Sequence, residues 1–370
     1  MKDLIGRRLK AAREKKGLKQ AELSEQLGFK DRQTIAAIEA GNRNLTAEEL
    51  VRIVEVLGED VDYFFDSFRL VGEGRFNWRA NKKIAPERLA EFEDRAGRWI
   101  ATYRQLKEEQ GIVPSPLQFR LMLTEKSTYE DAQAAAESLV VQWKLGEVPA
   151  LKLEQAIQEK LGALVLHVDA MPGISGAACQ VPRLSTILIN RAEPEGRRHF
   201  DLAHECFHLL TWESMTPERT EAVDGGYSGK GRHKRIEQLA DNFAGALLMP
   251  KELVTGRWQE RREKDVHRRL VETARTLHVT ALAFKWRLVV LGLLTKADQL
   301  DIQDSRLSGG RAEDEKDKPK LFSADFVQCF QEGLAHGRLS VRRAASLLCM
   351  TIEDLADLFR DYKMTVPFDL

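Results

Sequence analysis

The sequence predicts a multidomain, mainly α protein: an N-terminal all-α bundle, then a small α+β core among further helices. Three observations carry that expectation. The chain has 370 residues, more than one ordinary core accommodates. Residues 1–66 read as short helices punctuated by glycine. Two runs of branched residues, 164–168 and 185–190, stand just before a long amphipathic stretch.

In the N-terminal unit, Ile5, Leu9 and Ala12 mark a first helix that stops at Gly17. Residues 20–28 make a short second helix and 32–41 a third, each ended by glycine. Thr46 caps a fourth, carried by Leu50, Ile53, Val54 and Leu57. This fits a helix-turn-helix bundle. The wording Leu18-Lys-Gln-Ala-Glu-Leu23 and Thr34-Ile-Ala-Ala-Ile-Glu-Ala-Gly41 resembles the Xre/Cro phage-repressor family. The resemblance implies that the second helix of the motif enters the major groove of a double-stranded DNA operator. Arg32, Gln33 and Thr34 are then the candidates for base edges. Gln20, Asn42 and Arg43 are candidates for the phosphate backbone. Palindromic operators would make the protein a homodimer. Charge points the same way. Residues 7–19 hold seven Lys/Arg against one acid, and 46–66 seven acids against one base.

After this unit, 67–130 reads as a helical spacer with a charged amphipathic stretch at 85–110. A core domain is expected over 131–300, with a helix at about 150–161, strands at 164–168 and 185–190, and a trailing helical part. Residues 301–321 read as a charged, flexible linker, and 322–370 as a small C-terminal helical unit.

The chemistry lies in His204-Glu205-Cys206-Phe207-His208. Histidines four apart share one helical face, so both imidazoles can reach one metal ion. The adjacent glutamate can hold a water, as in the H-E-x-x-H pattern of zinc peptidases. A catalytic zinc takes a third protein ligand. Glu237 is the candidate, beside the apolar face made by Ile236, Leu239, Ala240, Phe243 and Leu247. Asp241, one turn on, could orient a ligand histidine.

The segments 197–208 and 237–250 resemble the ImmA/IrrE metallopeptidases. The resemblance implies a zinc-peptidase core in which His204, His208 and Glu237 bind zinc, or manganese, and Glu205 is the general base. It also implies a repressor or antitoxin-like protein substrate. Two departures stand out: Asp201 replaces the family's threonine, and Cys206-Phe207 replaces Leu-Gly. His199 or His233 could donate to an oxyanion. The stretch 185–190 could be an edge strand that receives substrate, or a central strand.

Composition bounds the rest. Lysine plus arginine (57) balances aspartate plus glutamate (57), so any polyanion affinity must be local. No apolar run reaches membrane-spanning length, and the opening residues do not read as a signal peptide. Four scattered cysteines fit a reducing, cytoplasmic setting. The resulting expectation is a cytoplasmic regulatory zinc metallopeptidase with a sequence-specific DNA-binding domain, cleaving a repressor, an antitoxin or itself. The alternative is a non-proteolytic Xre-type regulator that uses the peptidase fold as a sensor, in phage defence or a toxin–antitoxin system.

Overall fold

The computed structural model describes residues 2–29, 31, 33–81, 84–112, 117, 119–222, 231–261, 263–295, 301–307 and 318–369. Five helices form the N-terminal unit: α1 (Lys2–Lys15), α2 (Gln20–Gln26), α3 (Gln33–Glu39), α4 (Ala47–Leu57) and α5 (Val61–Phe65). Thr46 caps α4 through the Glu49 amide, and Glu49 returns the bond to the Thr46 amide. Leu9, Leu23, Ile35, Ile38, Ile53 and Phe64 make its core.

The basic run of α1 is partly structural. Arg8 is 0% exposed and donates to the carbonyls of Tyr63 (2.9 Å), Asp66 (2.7 Å) and Arg69 (2.6 Å). Arg13 is buried against Glu39 at 2.6 Å. Lys15 pairs with Glu59, and Lys16 donates to the Val56 carbonyl. Arg8 and Arg13 thus close the bundle, while Arg7, Lys10, Lys15, Lys16 and Lys19 remain exposed.

The rest of the chain is built on a five-stranded mixed sheet. Its strands are β1 (Arg75–Ala80), β2 (Leu164–Val168), β3 (Ile174–Val181), β4 (Leu184–Asn190) and the short β5 (Thr220–Ala222). The order is β2-β4-β3-β1-β5. β1 and β4 flank β3 antiparallel, β2 runs parallel to β4, and β5 runs parallel to β1. Both faces are covered, so these strands read as continuous apolar runs. Val165, Ala178, Ile187 and Ile189 face one core, and Trp78, Leu166, Cys179 and Leu188 the other.

The first core is closed by α7 (Tyr129–Gln142), α8 (Ala150–Leu161), α9 (Glu195–Thr211), α10 (Arg232–Leu248), α11 (Lys251–Glu260), α12 (Val266–Thr276), α13 (Ala281–Val290) and the short α14 (Asp304–Leu307). The second is closed by α6 (Pro86–Glu109), α15 (Ala324–Ala335), α16 (Val341–Leu348) and α17 (Ile352–Asp361).

Two segments differ from the sequence reading. The stretch 67–130 is not purely a helical spacer, because it supplies β1. There the alternation Arg75-Phe-Asn-Trp-Arg-Ala80 sends Trp78 and Ala80 into the second core. The C-terminal helices share that core with α6 instead of standing apart. Arg343, on α16, pairs with Asp66 and lies over the Phe68 ring. Most of the charged linker, 308–317, lies outside the described residues; Lys318, at its end, bonds Asp169 at 2.8 Å.

Two predictions follow from this packing. Arg8→Met leaves three carbonyls short of their buried donor and should destabilise the N-terminal unit by about 2 kcal/mol. The measurement is the denaturation midpoint of that unit, read by amide exchange. The Arg191 guanidinium, opposed by partial burial and helped by Lys318, holds the Asp169 carboxyl down to about 2. A depressed carboxyl stabilises above its unfolded value and loses that contribution as pH falls through the folded one. Asp169→Asn should therefore cost up to ~1 kcal/mol at pH 7, the scale of an exposed pair. The gap to the parent should close between about pH 4 and pH 2 in urea titrations.

Candidate metal centre and DNA-facing helix

α9 lies between the sheet and α10, and every residue from Asp201 to Thr211 is buried. Phe207 packs its ring 5.4 Å from that of Phe243 on α10. That contact fills the space between the helices and accounts for a bulky residue at 207. Gly176, on β3 and facing α9, has no room for a side chain against the backbone of β4. A Cβ there would lie 2.8 Å from the Leu188 carbonyl oxygen and 3.9 Å from Cγ of Glu205.

The helix pair brings His204, His208 and Glu237 together. Nε2 of His204 is 3.1 Å from Nε2 of His208 and 3.3 Å from Oε2 of Glu237. The remaining side of the triangle, His208 to Glu237, is 3.8 Å. Zinc bonds of about 2.0–2.2 Å in tetrahedral array put ligand atoms roughly 3.4 Å apart, so the triangle has the size of a zinc site. Both histidines and Glu205 are 0% exposed and Glu237 is 7% exposed. Two imidazoles and a carboxylate are a donor set for zinc. Among the described residues, this is the group of histidines, cysteines and acids that could hold a metal ion.

Behind it, Nδ1 of His204 is 2.9 Å from Oδ1 of Asp241. A donor at Nδ1 leaves the Nε2 lone pair directed into the triangle. Asp241 is itself 3.8 Å from Nη2 of Arg79, on β1. Arg79 also pairs with Asp201 at 3.1 Å, and Arg197 donates to the other oxygen of Asp201 at 3.1 Å. The acid at 201, where the resemblance expects threonine, thus answers a buried arginine. Sequence reasoning missed Arg79. The signal available was that same departure at 201, an acid on the apolar stretch of α9 where the resemblance expects threonine.

Other candidates fall elsewhere. His199 has Nδ1 2.8 Å from the His278 carbonyl, and burial lowers its pKa despite that bond. His233 is on the first turn of α10, 3.0 Å from Glu218. The structure places neither in the His204–His208–Glu237 group. The stretch 185–190 is β4, an inner strand between β2 and β3, so it is not an edge. β3, the strand against Glu205, is covered on its free side by β1. Burial also pushes the Cys206 thiol well up, which suits an inert core residue.

In the N-terminal unit, Gln33 opens α3, with its amide bonded to the Asp31 carboxylate at 2.9 Å. Gln33 and Asn42 are exposed and Thr34 is half-buried. Arg32 lies outside the described residues. Gln20 donates to Glu39 at 2.7 Å. Arg43 is engaged by Glu49 at 2.7 Å and sits 5.6 Å over the Phe29 ring.

Comparison with known proteins finds two matched segments. Residues 9–64 match the family model described as Helix-turn-helix, and 158–289 the one described as IrrE N-terminal-like domain. No curated protein matches. A solved structure, the apo form of ComR from S. Thermophilus, is similar at 12% identity over 96% of this chain and 100% of that chain. Its TM-score is 0.17. No described helix is long and apolar enough to cross a membrane. The two family matches make this chain a fusion of an Xre-type helix-turn-helix domain with an ImmA/IrrE-type metallopeptidase domain.

Proposed function

We propose that this chain is a cytoplasmic, zinc-dependent endopeptidase that sits on a DNA operator and cleaves a repressor, an antitoxin-like protein or itself. The observation that carries the reading is the convergence of His204, His208 and Glu237 beside the buried Glu205. The two imidazoles and the Glu237 carboxylate would hold the ion, with manganese as an alternative occupant. When bound, the ion supplies Lewis acidity to water and to a scissile carbonyl. Glu205 takes the proton from the attacking water and passes it to the leaving amine. Asp241 keeps His204 in the tautomer that offers Nε2. On the DNA side, Arg32, Gln33 and Thr34 read base edges, while Gln20, Asn42 and Arg43 serve the backbone. A homodimer would match a palindromic operator.

One observation favours a second reading, a regulator that senses a ligand or partner through the peptidase fold and breaks no bond. β1 pairs with β3 from Arg75–Gln180 to Ala80–Ile174, along the strand beside Glu205. An extended substrate cannot add to that edge while β1 occupies it.

Labelling new N-termini in an extract of the source cells separates the two readings. Zinc-loaded parent protein should generate termini that Glu205→Gln does not, while Glu205→Gln keeps its zinc by mass spectrometry of the metal. Identical termini with both proteins would leave the sensor reading. For DNA, Gln33→Ala should weaken binding to a selected operator about tenfold in mobility-shift titrations, the scale of one bidentate base contact. Equal weakening on random DNA would move Gln33 to the backbone class.

A further inference from the structure

The strand that follows the DNA-binding unit reaches the metal centre through one side chain. Arg79 is 5% exposed and touches two acids: Asp201, 0% exposed, at 3.1 Å, and Asp241 at 3.8 Å. Oδ1 of Asp241 is the same atom that lies 2.9 Å from His204 Nδ1. Asp201 is further fixed by Arg197 from one turn earlier on α9. β1 holds the Arg79 backbone opposite Gly176, the residue packed against Glu205. Asp241 has a side chain that is 32% exposed and borders a cavity of about 480 Å³, lined also by Phe200, Thr280 and Trp286. A carboxylate at such a rim has room to turn towards solvent. A buried guanidinium beside it opposes that turn, because turning would leave the cation less compensated.

We propose that Arg79 is a positioning residue for the metal centre, fixing Asp241 and, through it, the ring of His204. The inference rests on the metal-site reading above and extends it. It makes the ligand set depend on a residue from outside the segment that matches the peptidase family. It also ties the metal centre to β1, which begins ten residues after α5 ends at Phe65. Anything that shifts β1, such as a change in how the N-terminal unit is held, would then alter the hold on zinc.

The test is zinc affinity of the full-length protein, measured by competition with a chromophoric chelator. Removing a partner of a metal-bound histidine typically weakens binding 10–100-fold. Asp241→Asn should fall in that range. Arg79→Gln should weaken zinc binding roughly tenfold, and Arg79→Lys should recover most of the loss. In the double variant Arg79→Gln/Asp241→Asn, the losses should not add, because both act along one route. A merely structural role for the cluster would instead lower affinity in Arg79→Lys as far as in Arg79→Gln. Should Arg79→Gln fail to fold, Arg79→Gln/Asp201→Asn removes the uncompensated acid and gives the same comparison. Parental affinity in a folded Arg79→Gln, or additive losses in the double variant, would overturn the positioning role while leaving the metal site standing. A parent protein that holds no zinc would overturn the metal reading and this inference with it.

Discussion

The centre of this protein is a buried excess of negative charge between α9 and α10. Asp201, Glu205, Glu237 and Asp241 are answered by the guanidiniums of Arg79 and Arg197. A divalent cation held by His204, His208 and Glu237 would offset negative charge in that cluster. Uncompensated carboxylates in a dry interface are too costly to persist in a stable fold. The helix packing, the glycine at 176 and the strand β1 all serve to hold these groups in one place.

The proposed hydrolysis and the proposed regulation rest on different parts of the same arrangement. The donor triangle defines what can bind, and Glu205 defines what can be done with a water there. β1 bears on access, because it covers the β3 edge, and on geometry, because it carries Arg79. A strand placed between a DNA-binding unit and a metal centre is a natural route for one to influence the other, since packed elements move in discrete steps rather than bending continuously.

The local words of the site were legible in the sequence because helical spacing is rigid. His204 and His208 share a face by arithmetic, and Glu237 bordered an apolar stripe. Thr46 as a cap, and Gly28 and Gly41 with positive φ at helix ends, were legible for the same reason. Long-range pairing was not. Nothing local says that Arg75–Ala80 joins Ile174–Val181 across almost a hundred residues, so the sequence reads β1 as part of a helical spacer and leaves β4 open between an edge and a central strand. Charge counting could not separate, in the basic run 7–19, the buried Arg8 and Arg13 from the exposed bases. Composition lists charges but not which of them fold inward.

The most direct measurement of the central claim is X-ray absorption at the zinc edge of the full-length protein. The account predicts a first shell of nitrogen and oxygen only, with the multiple-scattering pattern of two imidazoles. It also predicts that one imidazole contribution is lost in His208→Ala. A shell containing sulfur, or one with no imidazole signature, would contradict it.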